Sequence, residues 1–139
     1  MFSITDARQG KKFLLDQTLP RHRKNFLPCR AFLHYKEAIL GPRYELSVAV
    51  VSPAKMRAIN RQYRKLDKPT DVLAFPLSKT QGEVFLCLPE TKKEAKKFDR
   101  GYENFLSFLF IHACVHLLGY DHGTKMEKME KKWRKKFNI

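Results

Sequence analysis

The segment Tyr102–Leu118 is apolar nearly all the way round and ends among histidines, which limits what the chain can fold into. A helix apolar on every side belongs in a core, so the other elements must wrap it. Near its end His112 and His116 stand four apart, which puts both imidazoles on one face, one turn apart. Gly119 can take a positive φ and end the helix. His122 then returns from outside the helix, where a third imidazole can face the first two. Three neutral imidazoles with a fourth position open form the layout of a catalytic zinc site, not of a closed structural one.

The spacing from His112 through His116 to His122 is similar to the elongated zinc-protease motif, with one difference. Ala113 stands where such a protease carries its glutamate general base. The ligand set is kept and the peptidase base is absent. Zinc suits three imidazoles; nickel and copper suit them too, so the residues admit other divalent transition metals. One ion per chain is expected. The alternative for the three histidines is packing, and Cys114, on the far side of the same helix, is read as packing and not as a ligand.

The formal charge of +14, from 28 Lys and Arg against 14 Asp and Glu, points to a polyanionic partner, most simply nucleic acid. A solvated basic surface kept for solubility is the alternative. Three well-separated cysteines, Cys29, Cys87 and Cys114, form no Cys-x-x-Cys pair and fit free, buried thiols in a reducing compartment. No basic and then apolar leader is seen at the N-terminus. The run Phe105–Leu118 is interrupted by Ser107 and two histidines and falls short of the ~20 residues that cross a bilayer. A cytoplasmic protein with no membrane partner is expected.

In chain order, residues 2–5 read as a short edge strand. Lys11–Leu40 reads as helix in two pieces broken at Pro20 and Pro28, the second near Cys29–Ile39 with Pro28 in its first turn. His22 and His34 lie here without partners at metal spacing, among bases that include Arg21, Arg23, Lys24 and Arg30. Glu45–Val51 alternates as a strand, and Ser52-Pro53 caps a helix from Ala54 to about Arg64. Val72–Phe75 is a strand closed by Pro76, residues 77–82 a loop, and Glu83–Leu88 another strand. Thr91 caps a short basic helix to about Phe98. Met126, Met129, Trp133 and Phe137 mark a last amphipathic helix. The reading is one α+β domain over residues 1–139, a small mixed sheet of about four strands packed with helices, its metal site at the end of the central one.

Two stretches together are recognisable. The run Asn60-Arg61-Gln62-Tyr63-Arg64 continues to Asp67-Lys68-Pro69-Thr70-Asp71-Val72-Leu73-Ala74-Phe75-Pro76, and the second stretch is His112 to His122. With Gly82–Cys87 between them, they resemble the signatures of the YbeY family of bacterial rRNA maturation factors, metal-dependent endoribonucleases. The match spans roughly residues 44–137 and departs mildly, with Ala113 for a usual Gly, Ala74 for Ser and Glu83 for Asp. The loop before Gly82 is also short. The resemblance implies cleavage of single-stranded RNA in small-subunit rRNA 3′-end maturation and ribosome quality control, with the ribosome or its small subunit as partner.

In that setting an ion on the three histidines lowers the pKa of its water and polarises a phosphoryl oxygen. Arg64 is the candidate for pairing the charge that develops on the non-bridging oxygens; a salt bridge to Asp67 is its alternative role. Asp121 is expected to orient a ligand or cap the turn, and Asp71 to do similar supporting or loop-holding work. Tyr63, Tyr120 and Phe75 are candidate base-stacking residues, Phe75 more readily core. Lys125, Lys128, Lys132 and Lys135 offer a phosphate track. Two competing readings stay open: a non-catalytic RNA-binding assembly factor whose metal holds the fold, and a zincin-type peptidase.

Overall fold

A computed structural model describes residues 2–8, 10–13 and 27–139 of the chain. Strands β1 (Phe2–Asp6), β2 (Lys11–Phe13), β3 (Glu45–Val50), β4 (Val72–Ser78) and β5 (Gln81–Leu86) form one sheet in the order β2-β1-β3-β5-β4. β1, β3 and β5 run parallel, and β2 and β4 close the two edges antiparallel. Helices α1 (Cys29–Leu40), α2 (Pro53–Arg64), α3 (Leu88–Lys97), α4 (Tyr102–Leu117) and α5 (Thr124–Phe137) pack around it. The α+β class with a mixed sheet is as expected.

Several details differ from the sequence reading. β1 is an inner strand, because Lys11–Phe13 pairs against it where a helix was expected to begin. The rest of that first helical piece, with Pro20, Arg21, His22, Arg23 and Lys24, lies outside the described residues. Pro28 precedes α1 as its N-cap residue instead of entering its first turn. β4 does not stop at Pro76 but continues to Ser78, with its register shifting there. A proline costs no ladder bond on the open side of an edge strand. The expected loop at 77–82 therefore shrinks to a tight turn at Lys79-Thr80. Thr91 lies inside α3, where its hydroxyl donates to Cys87 O (2.9 Å), and the N-cap is Cys87. The Ser52 cap of α2 is as read, accepting from Lys55 N–H at 3.2 Å.

Alternation along the strands sorts the sheet into two covered faces. Leu46, Val48, Val50, Val84 and Leu86 point to one face and pack with α1 and α4. There Phe32 and Phe110 stack at 4.1 Å and 3°. Both are fully buried, and replacing either by alanine would cost about 3–5 kcal/mol. Leu73 and Cys87 point the other way, towards Met56 and Ile59 of α2. Cys29, Cys87 and Cys114 are buried free thiols, and burial pushes the Cys114 thiol far up from its ordinary value. Because α4 and α2 cover opposite faces, the β4 edge lies between them. A groove opens along it.

Candidate active site

The groove holds about 640 Å³ and draws its lining from α2, β4, α3, α4 and the turn after α4. His112, His116 and His122 share one end of it with Arg64. α4 is anchored by its buried residues, so His112 and His116 surface from the core at a fixed place, each half-buried. Gly119 then takes φ +104°, a conformation that favours glycine, and reverses the chain. His122 comes back exposed, its ring 5.6 Å from that of His112 and 5.9 Å from that of His116.

Two of the three rings are held by their far nitrogens. The Nδ1–H of His112 donates to Glu130 Oε1 of α5, and the Nδ1–H of His116 donates to Tyr120 O (3.1 Å). An ionised carboxylate and a carbonyl only accept, so both imidazoles carry their proton on Nδ1. Each is left with Nε2 as its unprotonated donor. A carboxylate or carbonyl behind a histidine is the usual support of a metal-binding imidazole. Among the described residues no trio of His, Cys, Asp or Glu is closed tightly enough to hold an ion as it stands. Two imidazoles on one tetrahedral zinc, at Zn–N of about 2.0 Å, would have centroids roughly 5 Å apart, against the 5.6 and 5.9 Å that separate His122 from His112 and His116. His122 sits in an exposed turn. The donor set and the fixed tautomers fit a metal held by His112, His116 and His122.

Arg64 ends α2, where Lys65 adopts a left-handed conformation (φ 57°). Asp67 is not its partner. That carboxylate takes a two-pronged bond from Arg57 (2.8 and 3.0 Å), with Arg61 at 3.9 Å, and Arg57 holds it below the ordinary carboxylate range. No described carboxylate pairs with Arg64, which is exposed and lines the groove.

Asp71 lines the groove and holds its loop. Its Oδ1 accepts from Val72 N–H (2.8 Å), and its carbonyl accepts from Cys87 N–H (2.9 Å). Burial, and then the charge of Glu94, pushes its carboxyl up from the ordinary value. Asp121 is exposed, with no hydrogen bond to any described residue. The carboxylate that orients a histidine is Glu130, which sequence reasoning missed. The signal was there. Glu130 falls on the stripe of Met126, Trp133 and Phe137, an acid at a core-facing position of a lysine-rich helix. It is buried, and its other oxygen lies 3.7 Å from Arg134.

Phe75 lines the groove half-buried, with the 62 % exposed Tyr63 against it at 5.3 Å. Tyr120 packs against the main core. Lys125, Lys128, Lys132 and Lys135 are exposed on α5, and none of them lines the groove.

Fold and groove thus define a small α+β domain with three histidines, and an arginine that no described carboxylate pairs, lining a groove at a sheet edge. A family model described as Endoribonuclease YbeY matches residues 16–138. An Endoribonuclease YbeY of Campylobacter jejuni is 38 % identical over 116 residues, covering 78 % of this chain and 86 % of that one. One of Staphylococcus carnosus is 34 % identical over 113 residues, covering 73 % and 74 %. The solution structure of a Thermotoga maritima protein shares the fold, with TM-score 0.62 and 24 % identity over 99 % of this chain and 92 % of that one. The chain belongs to the YbeY endoribonuclease family, and so to the hydrolytic nucleases.

Proposed function

We propose that this protein is a zinc-dependent endoribonuclease that cuts single-stranded RNA during ribosomal RNA maturation, at the 3′ end of the small-subunit rRNA and in ribosome quality control. The observation that carries the reading is the tautomer-fixed pair His112 and His116 lining a groove together with Arg64, which pairs with no described carboxylate. A metal on the three histidines supplies a nucleophile at neutral pH and polarises the phosphoryl group. The chain does the rest. Glu130 and Tyr120 O keep the imidazoles aimed, and Arg64 pairs with non-bridging oxygens as they gain charge. The exposed lysines of α5 stand outside the groove, so their contribution is long-range attraction of the polyanion, weakened by salt. The proposed site of action is the cytoplasm; no described helix is long and apolar enough to cross a membrane.

A peptidase is disfavoured by Ala113, a buried residue that places no carboxylate beside the first histidine. The remaining alternative is an RNA-binding assembly factor whose metal holds the fold. Metal analysis of the purified protein, with cleavage of a single-stranded RNA before and after chelation, tests the reading. About one zinc per chain is expected, with cleavage lost on chelation and restored by metal. His116→Ala is expected to abolish cleavage and spare most RNA binding. Normal cleavage by that variant would assign the metal a structural role.

A further inference from the structure

The groove has a second end that the histidines and Arg64 do not use, and its wall is aromatic. Phe98 is 57 % exposed yet stacks on Phe105 (5.4 Å, 22°), which stacks in turn on Phe108 (5.5 Å, 12°). A lone exposed phenylalanine needs no explanation. This one is a corner of a three-ring cluster, lying 6.3 Å from Phe108 as well, and its backbone is pinned. Asp99 takes a left-handed conformation (φ 52°), Asp99 N–H donates to Lys96 O (3.3 Å) and Arg100 N–H to Ala95 O (3.0 Å). That is a Schellman closure of α3, with Phe98 presented at its tip. The guanidiniums of Arg100 and Arg134 lie 4.6 and 4.7 Å from the centre of Phe108, so positive charge stands beside the wall.

Two carboxylates share this part of the groove, Asp71 and Glu94. Asp71 spends Oδ1 on Val72 N–H and the Thr70 hydroxyl, and no described residue donates to Oδ2. Glu94 receives Lys97 on Oε1 (2.9 Å), and no described residue donates to Oε2. Carboxylates in a groove for RNA repel the phosphates. Beside an aromatic wall they match a different part of a nucleotide, the donor edge of its base. Guanine offers the best complement, with two adjacent N–H donors for one carboxylate. Adenine and cytosine each offer an amino group. Uracil sets its one N–H between two carbonyl oxygens, which would face the carboxylates.

We propose that this end of the groove seats one unpaired nucleobase of the RNA strand, stacked on Phe98 and read by Asp71 and Glu94, with guanine preferred and uracil disfavoured. A groove of about 640 Å³ lies within the roughly 300–1,000 Å³ of sites that enclose a small ligand. The proposal rests on the RNA-cleavage reading and adds a base preference to it. Phe98 and Glu94 act in binding the strand next to the cut, not in the bond-breaking step.

The test is binding of the full chain, as purified, to eight-nucleotide fluorescent 2′-O-methyl oligonucleotides whose integrity is checked on a gel. The set is all-U, the same strand with one central G, and the same strand with one central abasic site. The wild type is expected to bind the G strand about tenfold tighter than all-U, with the abasic strand weakest. Phe98→Ala is expected to lose about tenfold on the G strand and nothing on the abasic one, and Phe98→Leu to recover little. Glu94→Gln is expected to erase the G-over-U difference while leaving the all-U affinity within about twofold. Equal losses by Phe98→Ala on the G and abasic strands would make Phe98 a structural residue and overturn the proposal. So would a wild type that binds and cuts RNA without regard to base, which leaves the endoribonuclease reading standing. A folded wild type that binds none of these strands and cuts no RNA would overturn both.

Discussion

His112 of α4 and Glu130 of α5 are joined through Nδ1 and Oε1, which ties the orientation of a groove histidine to the helix packed beside it. α5 therefore does more than shield apolar surface. Its buried carboxylate sets the tautomer of His112 and is itself approached by Arg134. Removing such a support behind a metal-binding imidazole costs about 10–100-fold in metal affinity. Glu130→Ala is expected to lose zinc affinity by that factor in a competition titration against a chromophoric chelator. Glu130→Gln keeps an acceptor for Nδ1–H and should lose less. Unchanged affinity in both variants would reduce the contact to packing between α4 and α5.

Arg64 lines the groove, and Asp67 is held by Arg57, with Arg61 at 3.9 Å. Its guanidinium gains most when charge builds on the phosphoryl oxygens, so its loss should fall on turnover. Arg64→Ala is expected to lower kcat by about 10²–10³-fold while RNA affinity falls by no more than roughly threefold. Arg64→Lys keeps the charge without the planar fork and should restore only part of the rate. Equal losses in kcat and affinity would make Arg64 a binding residue alone.

Much of this was legible because local chemistry and tertiary packing agreed. The all-round apolar character of α4, the turn at Gly119 and the Ser52-Pro53 cap each say one thing at both levels. The misses came where a distant partner decided. Lys11–Phe13 is strand because β1 offers it a free edge, and three residues carry no periodicity to show that. β4 runs through Pro76 because that proline sits on an edge, a fact of sheet order and not of sequence. Glu130 is eighteen positions from His112, so only the packing of α5 on α4 makes them neighbours. The aromatic wall is likewise assembled from the end of α3 and from α4, and no single stretch announces it.

Gly82 shows how closely β5 meets its neighbours. A Cβ added there would lie 2.5 Å from the Tyr44 hydroxyl and 2.9 Å from Leu117. Gly82→Ala is expected to destabilise the fold by about 1–3 kcal/mol in urea unfolding, the usual cost of overpacking. The Tyr44 hydroxyl is buried with no hydrogen-bond partner among the described residues, and burial pushes its pKa up. Tyr44→Phe alone should therefore be neutral or stabilising. Combined with Gly82→Ala it should recover part of the loss, because the nearest clashing atom is gone. A double variant no better than Gly82→Ala alone would move the strain to Leu117.

Asp71 should leave a pH signature of definite sign. Its carboxyl is raised above its ordinary 3.8 by burial first and by the charge of Glu94 next, with the Val72 amide pulling the other way. The folded state then binds the proton more tightly than the unfolded one. Stability contributed by the protonated form is complete below the ordinary pKa and is lost as pH rises through the folded value. At neutral pH the buried carboxylate costs the fold something. Asp71→Asn keeps an Oδ1 acceptor for the Val72 amide and removes the titration. Its melting temperature should match the wild type near pH 3 and exceed it at pH 7 by on the order of a few degrees. Glu94→Gln, by removing the neighbouring charge, should move the wild-type transition to lower pH. If the gap between Asp71→Asn and wild type does not widen with pH, the carboxylate is not held against its preference. If it does widen, the fold retains in this groove an acceptor that reduces its own stability, as a group kept for binding and not for holding the fold together would do.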